Sequence, residues 1–316
     1  MSDRPLVGIV TPVYNGADYL AECIESVLAQ SYEHWEYVVC DNASTDGSAD
    51  IAEEYARRDP RVRVERHTEH VPFLRSWNRS VRALPEGSAY CKVICADDML
   101  MPTCLEQMVG LAEATPSVGV VGAYRLSGTK LTLDGLGLDE TVIGGRELCR
   151  RLFLGRLRYI FGSPTSTLLR ADLVRKRGAL YDESYFHADT VACFDLLQES
   201  DFGFVHEVLT YTRIHPEALT SMTRGIGSYR PEHLRMLIQF GPGCLTPEQF
   251  ERRLAALSAV YARTLAKRTL RLKEPEYRRF HARQLGLIRN EMTIDQLGRG
   301  VVTSLRRRAL TAAGEH

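Results

Sequence analysis

Nowhere in the 316 residues does an apolar run approach the ~20 residues that a membrane-spanning helix needs, so any contact with a bilayer is peripheral. Met1 to Pro5 and the short apolar stretch Leu6 to Val10 lack the basic n-region and the h-region length of a secretory signal, and the expectation is a cytoplasmic chain. There is no CxxC pair and no Cys/His spacing of a zinc site. The eight cysteines (Cys23, Cys40, Cys91, Cys95, Cys104, Cys149, Cys193 and Cys244) are scattered, mostly in apolar periodic segments, as small core residues of a reducing compartment are. Neither Gly-x-Gly-x-x-Gly nor a P-loop Gly-Lys-Ser/Thr occurs, which argues against a dinucleotide dehydrogenase and a P-loop kinase. His67 and His70 form an HxxH with no third ligand nearby, so no metal is assigned there. Net charge is also absent, 40 Lys and Arg against 40 Asp and Glu, and no nucleic-acid partner is expected.

What is present is the makeup of a globular chain, 44% apolar and 25% charged, long enough for one large domain or a domain with an appendage. The first half alternates β-branched runs with amphipathic helical patterns, which predicts an α/β fold with a mostly parallel sheet flanked by helices. Strands are expected over Val7–Thr11, Glu36–Asp41, Val62–Arg66, Ala89–Cys95 and Val118–Tyr124. Helices are expected over Ala17–Gln30, Ser48–Arg58, Phe73–Leu84 and Thr103–Ala114, the last with Thr103 and Glu106 as a capping box. Beyond Tyr124 comes a Gly-rich stretch, Leu126 to Gly145, then a mixed segment to about Thr223, where loops and helices are expected. From about Pro231 the pattern is helical, with breaks at Gly241-Pro242-Gly243 and Pro275.

In a parallel sheet the ligand crevice lies at the carboxyl ends of the strands. Three such ends are polar: Thr11-Pro12-Val13-Tyr14-Asn15-Gly16, Asp41-Asn42-Ala43-Ser44-Thr45-Asp46-Gly47-Ser48, and Cys95-Ala96-Asp97-Asp98. Adjacent acids at a strand end are common turn and cap residues. Two carboxylates at the mouth of a buried strand also repel unless a cation intervenes, and a hard divalent ion on one or two carboxylates plus substrate phosphates relieves that repulsion.

Together these stretches resemble the family 2 glycosyltransferases of the GT-A fold over roughly residues 5 to 220. The quoted motifs are Pro12-Val13-Tyr14-Asn15, the Asp41-to-Gly47 block, and Asn78 on the helix before the acidic strand. The resemblance implies a Rossmann-like GT-A domain and an inverting transferase that uses a UDP- or dTDP-sugar with Mn2+ or Mg2+. Its acceptor would be a glycan, lipid-linked or small-molecule hydroxyl, in polysaccharide or glycoconjugate biosynthesis. It assigns the nucleotide to Thr11, Pro12, Tyr14, Asn15, Asp41, Asn42, Ser44, Asn78 and Asp97, with Asp41 accepting from the imide N–H of uracil or thymine. It assigns the metal to Asp97, Asp98 and His215, the pyrophosphate to Arg213, the acceptor pocket to Gly162, Ser163 and Thr165, and the general base to Asp189. Two positions depart from the family pattern, Cys95 where many members carry the first acid and Ala188 where a Glu usually precedes the base.

On this reading residues 1–225 form the transferase domain, 1–124 its nucleotide half and 125–225 its acceptor half, and residues 226–316 form a helical appendage. Phe250 to Arg308 holds fifteen Lys and Arg against five acids, a net +10 balanced by −10 elsewhere. That asymmetry fits a solvated helical face, a homodimer contact, or peripheral docking on the inner face of the cytoplasmic membrane. The competing functions are an inactive nucleotide-sugar-binding protein and a nucleotidyltransferase. The latter normally has a basic Gly-rich loop after its first strand, and Thr11 to Gly16 contains neither Lys nor Arg.

Overall fold

One ten-stranded mixed sheet organises the chain, and the order of its strands explains where the polar turns fall. The computed structural model describes residues 4–215, 225–267 and 274–291. The strands are β1 (Val7–Val13), β2 (Trp35–Asp41), β3 (Val62–Arg66), β4 (Tyr90–Val93), β5 (Met99–Leu100), β6 (Val118–Ser127), β7 (Lys130–Thr132), β8 (Val142–Ile143), β9 (Thr167–Arg170) and β10 (Asp201–Thr212). The helices between them are α1 (Ala17–Leu28), α2 (Ser48–Arg58), α3 (Phe73–Arg82), α4 (Cys104–Ala114), α5 (Gly145–Phe153), α6 (Ala171–Arg175) and α7 (Ala188–Leu196). The order is β3-β2-β1-β4-β9-β6-β10-β5, with β7 on β6 and β8 on β10. β1 pairs in parallel with β2 and β4, and β2 with β3. β9 then runs antiparallel to both β4 and β6, while β10 is parallel to β6.

Every residue of β1 is buried, as a central strand with both faces covered requires. Pro12 is tolerated there for a definite reason. Val10 accepts from Ile94 N on the β4 side, and Pro12 shares that parity. It lies past the last β1–β4 pair, Val10 with Val93, so no ladder donor is missed. Helix α1 buries Leu20, Cys23, Ile24 and Val27, the i, i+3, i+4, i+7 stripe of its sequence, against that sheet. Each such Leu or Ile contributes about 1.5–3 kcal/mol of transfer free energy.

Three expectations are corrected. The capping box does not form, because Thr103 has near-helical φ −96 and ψ 6 and makes no side-chain cap bond, whereas a capping oxygen needs an extended residue to reach the helix N–H groups. Gln30 Oε1 takes the Leu105 N–H instead at 3.0 Å, and Glu106 accepts from Ser31 Oγ at 2.6 Å. The segment expected to hold only loops and helices contains two members of the sheet, β9 and the twelve-residue β10. Register shifts at Asp201/Phe202, Val205/Val208 and Val208/Thr210 break the alternation that would have marked β10. Gly241-Pro242-Gly243 does not end its helix, which runs from Tyr229 to Cys244. A Cβ on Gly241 would lie 2.9 Å from Phe250 Cδ2, so that glycine serves close packing.

Two compact units are distinguished. The first, Met1–Leu148, Leu157–Ser184 and Ala188–Ile214, contains the sheet. The second comprises Cys149–Arg156, Tyr185–His187 and His215–His316. Its helices are Tyr229–Cys244, Pro247–Lys267 and Pro275–Glu291. Within it, buried Glu232 accepts the backbone N–H of Phe186 and of His187, both at 2.9 Å, and Tyr185 donates to Gln239 at 3.0 Å. Arg268 and Arg306 to Arg308 of the basic run lie outside the described residues. Among the described residues no helix is long and apolar enough to cross a membrane, and all eight cysteines are free thiols.

Candidate active site

The turns that leave β1 and β2 are laced together by side chains. Asn15 N donates to Ser44 Oγ at 3.0 Å, and Thr45 N donates to Asn15 Oδ1 at 2.9 Å. Gly16 N donates to Ser48 Oγ, and Ala17 N to Asp46 Oδ2, both at 2.9 Å. Asp46 also receives Ser48 Oγ at 2.6 Å. Burial opposes ionisation of Asp46, but the donors from Ser48 and the Ala17 N–H outweigh it and hold its carboxyl below the ordinary value. Asn15 and Ala43 sit at φ +50 and +63, a left-handed conformation costly for a non-glycine residue. Both turns are thereby fixed against the helix starts of α1 and α2.

Around these turns the expected nucleotide residues take unequal positions. Asp41 is buried and receives the Ser44 N–H at 3.2–3.3 Å. Tyr14 is exposed and lies against the His70 ring, centroids 4.1 Å apart. Thr11 is enclosed, and its hydroxyl accepts from Tyr37 at 2.8 Å. Pro12 is also buried. Asn42 and Asn78 commit their amides to the protein: Asn42 bridges Val71 N and O at 3.1 and 2.8 Å, and Asn78 bridges Tyr181 N and O at 2.9 and 2.8 Å.

At the exit of β4, one ligand atom each from Cys95, Asp97 and Asp98 falls within 4.8 Å of the others. Buried Asp98 is heavily bonded. Thr165 Oγ1, Ser163 Oγ and Thr212 Oγ1 donate to its Oδ2 at 2.6, 3.2 and 3.4 Å, and Arg213 N donates to Oδ1 at 3.3 Å. Burial, followed by the neighbouring Asp97 charge, pushes the Asp98 carboxyl up to about 7. Ser163 and Thr165 thus hold Asp98. Gly162 lies just before them at φ +75, with its carbonyl accepting from Tyr159 Oη at 2.8 Å. Arg213 turns its guanidinium to Glu22 at 2.8 Å and over the Tyr19 ring. His215 is not among the three clustered ligands and begins the last segment of the second unit.

Asp189 stands in the first turn of α7, its Oδ1 accepting from Thr190 N at 2.8 Å. Burial pushes its carboxyl up to about 6, against the Thr190 bonds that lower it. The Cys95 thiol is raised well above its ordinary range, first by burial, then by the charges of Asp98 and Asp97 and, more weakly, of Asp189. The charges of all three carboxylates are thus felt at the Cys95 thiol. Two further participants were not singled out from sequence. Arg125, near the end of β6, lowers both Asp98 and Asp189 by its charge, and its position at a strand end was the available signal. Tyr159 shares a 2.8 Å hydrogen bond with Thr190 beside Asp189, and nothing in the local sequence marks it.

Comparison with known proteins gives the chain relatives. The profile described as "Glycosyl transferase family 2" matches residues 8–178. The Bacillus subtilis protein named putative teichuronic acid biosynthesis glycosyltransferase TuaG is 46% identical over 61 residues, 19% of this chain and 24% of that protein. Putative glycosyltransferase EpsE of the same species is 34% identical over 127 residues, 40% of this chain and 45% of that protein. The matches thus span less than half the length of these two relatives. Among solved structures, S. aureus TarS residues 1–349 in complex with UDP-GlcNAc aligns with TM-score 0.66 at 14% identity, covering 96% of this chain and 88% of that one. The Pyrobaculum calidifontis mannosyltransferase PcManGT in complex with GDP-Man and Mn2+ aligns with TM-score 0.58 at 17% identity, with the same coverage. At such identities the likeness establishes the fold, GT-A with C-terminal helices.

Proposed function

The chain belongs to glycosyl transferase family 2, and on that premise we propose that it transfers a sugar from a UDP- or dTDP-type donor to an acceptor hydroxyl, with inversion at the anomeric carbon. The observation that carries the reading is the Asp97–Asp98 pair clustered with Cys95 past the end of the central strand β4, with buried Asp189 near enough for its charge to be felt at Cys95. The names of the similar proteins support it, since they include a UDP-GlcNAc complex, a GDP-Man complex with Mn2+ and a teichuronic acid enzyme. The domain proposed to carry it is residues 1–225, with the helical remainder appended.

The residues present fit a hard divalent ion. Asp97 is partly exposed, and buried Asp98 receives on Oδ1 the Arg213 N–H at 3.3 Å, while its hydroxyl donors crowd Oδ2. Cys95, held protonated, contributes little to an oxygen-preferring cation. Mn2+ or Mg2+ bound by the two acids would neutralise the charge that develops on the leaving diphosphate. Asp41 accepts the pyrimidine imide proton, and exposed Tyr14 with His70 flanks the base. Asp189 takes the acceptor proton, and its raised carboxyl suits a base working near neutrality. The Arg213–Glu22 contact is a partly exposed pair worth about 0–1 kcal/mol, weak enough for a diphosphate to displace.

Calorimetric titration of UDP, dTDP, GDP and CDP, with and without Mn2+, tests the donor site on the wild type, Asp41→Ala and Asp97→Ala. The expected result is Mn2+-dependent binding of UDP or dTDP that both substitutions weaken. Absence of binding to any diphosphate in the presence of Mn2+ would sink the reading.

A further inference from the structure

Lys92 is fully enclosed in the middle of the sheet, on β4 between β1 and β9. Burying an ammonium is costly unless each of its donors is met, and carboxylates are its usual partners. Lys92 has none. Its Nζ donates to the backbone carbonyls of Thr165 at 2.7 Å and Thr167 at 3.1 Å, and it lies 3.7 Å from Met108 Sδ. These two carbonyls belong to the short 3-10 turn Pro164–Ser166 and the first residue of β9. The β4–β9 ladder pairs only Tyr90 with Arg170 and Cys91 with Leu169, so the ammonium fastens the turn to β4 where the ladder has ended.

The turn so fastened carries the groups that hold Asp98. Thr165 Oγ1 accepts Cys95 N at 3.0 Å and donates to Asp98 Oδ2 at 2.6 Å, and Ser163 Oγ donates to the same oxygen at 3.2 Å. Only Thr165 separates the Lys92 ammonium from the Asp98 carboxylate. A Met of similar length would occupy the same space without the desolvation cost of an ammonium, a gain that offsets the loss of the donor to the buried Thr165 and Thr167 carbonyls, so stability alone does not call for Lys there. We propose that Lys92 is a positioning residue. It fixes the 163–167 turn so that the Ser163 and Thr165 hydroxyls occupy Asp98 Oδ2 and leave Oδ1 turned to a divalent ion. This inference rests on the reading of Asp98 as a metal ligand.

The test is Lys92→Met, Thr165→Val and the double variant in the full chain, each assayed for melting temperature, for UDP binding against Mn2+ concentration, and for turnover. The expected Lys92→Met protein melts no lower than wild type. Its metal-free UDP affinity is unchanged, but it needs at least tenfold more Mn2+ for half-maximal UDP binding, with a matching fall in turnover. Thr165→Val reproduces the Mn2+ shift, and the double variant is no worse than the more affected single, because both act on one contact. A Lys92→Met protein that fails to fold would make the ammonium a stabilising element and overturn the proposal. So would an Mn2+ requirement within twofold of wild type, or effects of the two substitutions that multiply. If wild type itself shows no Mn2+-dependent UDP binding, the metal reading beneath the proposal falls and takes it along. If wild type shows it and Lys92→Met does not differ, the proposal alone falls.

Discussion

Asn78 and Tyr181, 103 residues apart in the chain, are joined by two hydrogen bonds through a single side chain. Asn78 Nδ2 donates to Tyr181 O at 2.8 Å, and Tyr181 N donates to Asn78 Oδ1 at 2.9 Å. Asn78 is 2% exposed, so no water stands ready to replace either bond. Asn78→Ala leaves a buried N–H and a buried C=O unmet, at about 1–3 kcal/mol each. Denaturant unfolding is expected to show a loss of about 2–4 kcal/mol, whereas an essentially unchanged midpoint would mean the bridge is not held in solution.

With its carboxyl near 6, Asp189 is ionised at neutral pH and protonated in mild acid. As a base it is lost when protonated, so kcat/KM should fall about tenfold per unit as pH drops below about 6. Asp189→Asn should reduce turnover by at least a hundredfold and leave UDP affinity within twofold. Near-normal turnover of that variant would remove Asp189 from the mechanism.

The same shift fixes the sign of a stability effect. Folding raises the Asp189 value above the ordinary carboxyl, so its favourable contribution is full below about 4 and is lost as pH rises through about 6. Asp189→Asn is therefore expected to melt higher than wild type at pH 8, with the advantage vanishing near pH 4. The opposite ordering would mean that the carboxylate is stabilised by a favourable contact.

Asp41 receives only the Ser44 N–H among the bonds described, which leaves acceptor capacity for a ligand. Asp41→Asn replaces part of that capacity with a donor. On the proposed reading UDP affinity falls at least tenfold and CDP gains relative to UDP, as read by calorimetry. Equal loss for both nucleotides would place Asp41 outside base selection.

Gly162 has φ +75, and a Cβ there would lie 2.4 Å from Ser166 Oγ and 2.6 Å from Ser166 Cβ. Gly162→Ala combines backbone strain with a clash in the turn that holds Asp98, at about 1–3 kcal/mol. A melting temperature several degrees lower, together with a higher Mn2+ requirement, is expected. Melting like wild type would show that the turn relaxes freely.

Strand ends and helical stripes are local properties, and those parts of the molecule were legible. Helix Ser48–Arg58 and strand Val62–Arg66 stand at their expected bounds, Asp41 closes β2, and Asp97 and Asp98 follow β4 in the turn before β5. What could not be read depends on partners far away in sequence. The Asp46 of the second turn reads as part of a ligand motif, but its carboxylate binds the starts of two helices. Thr103 satisfies the capping pattern while Gln30, in the loop after α1, does the capping. In each case one residue type serves two purposes equally well, and only the fold chooses between them.

The place of β9 has a consequence in time. This strand lies between β4 and β6 yet is only four residues long, and it is made after both of them. As the chain leaves the ribosome, the β4 edge stays open until residue 170 has emerged, and β6 lacks β9 until then and β10 for longer. The β3-β2-β1-β4 half of the sheet is thus complete before the strand that joins it to β6 exists. Unpaired apolar edges are where growing chains stick to one another. Changes in Thr167 to Arg170 should therefore register as slower refolding and aggregation during synthesis, in chains whose chemistry is intact once they are folded.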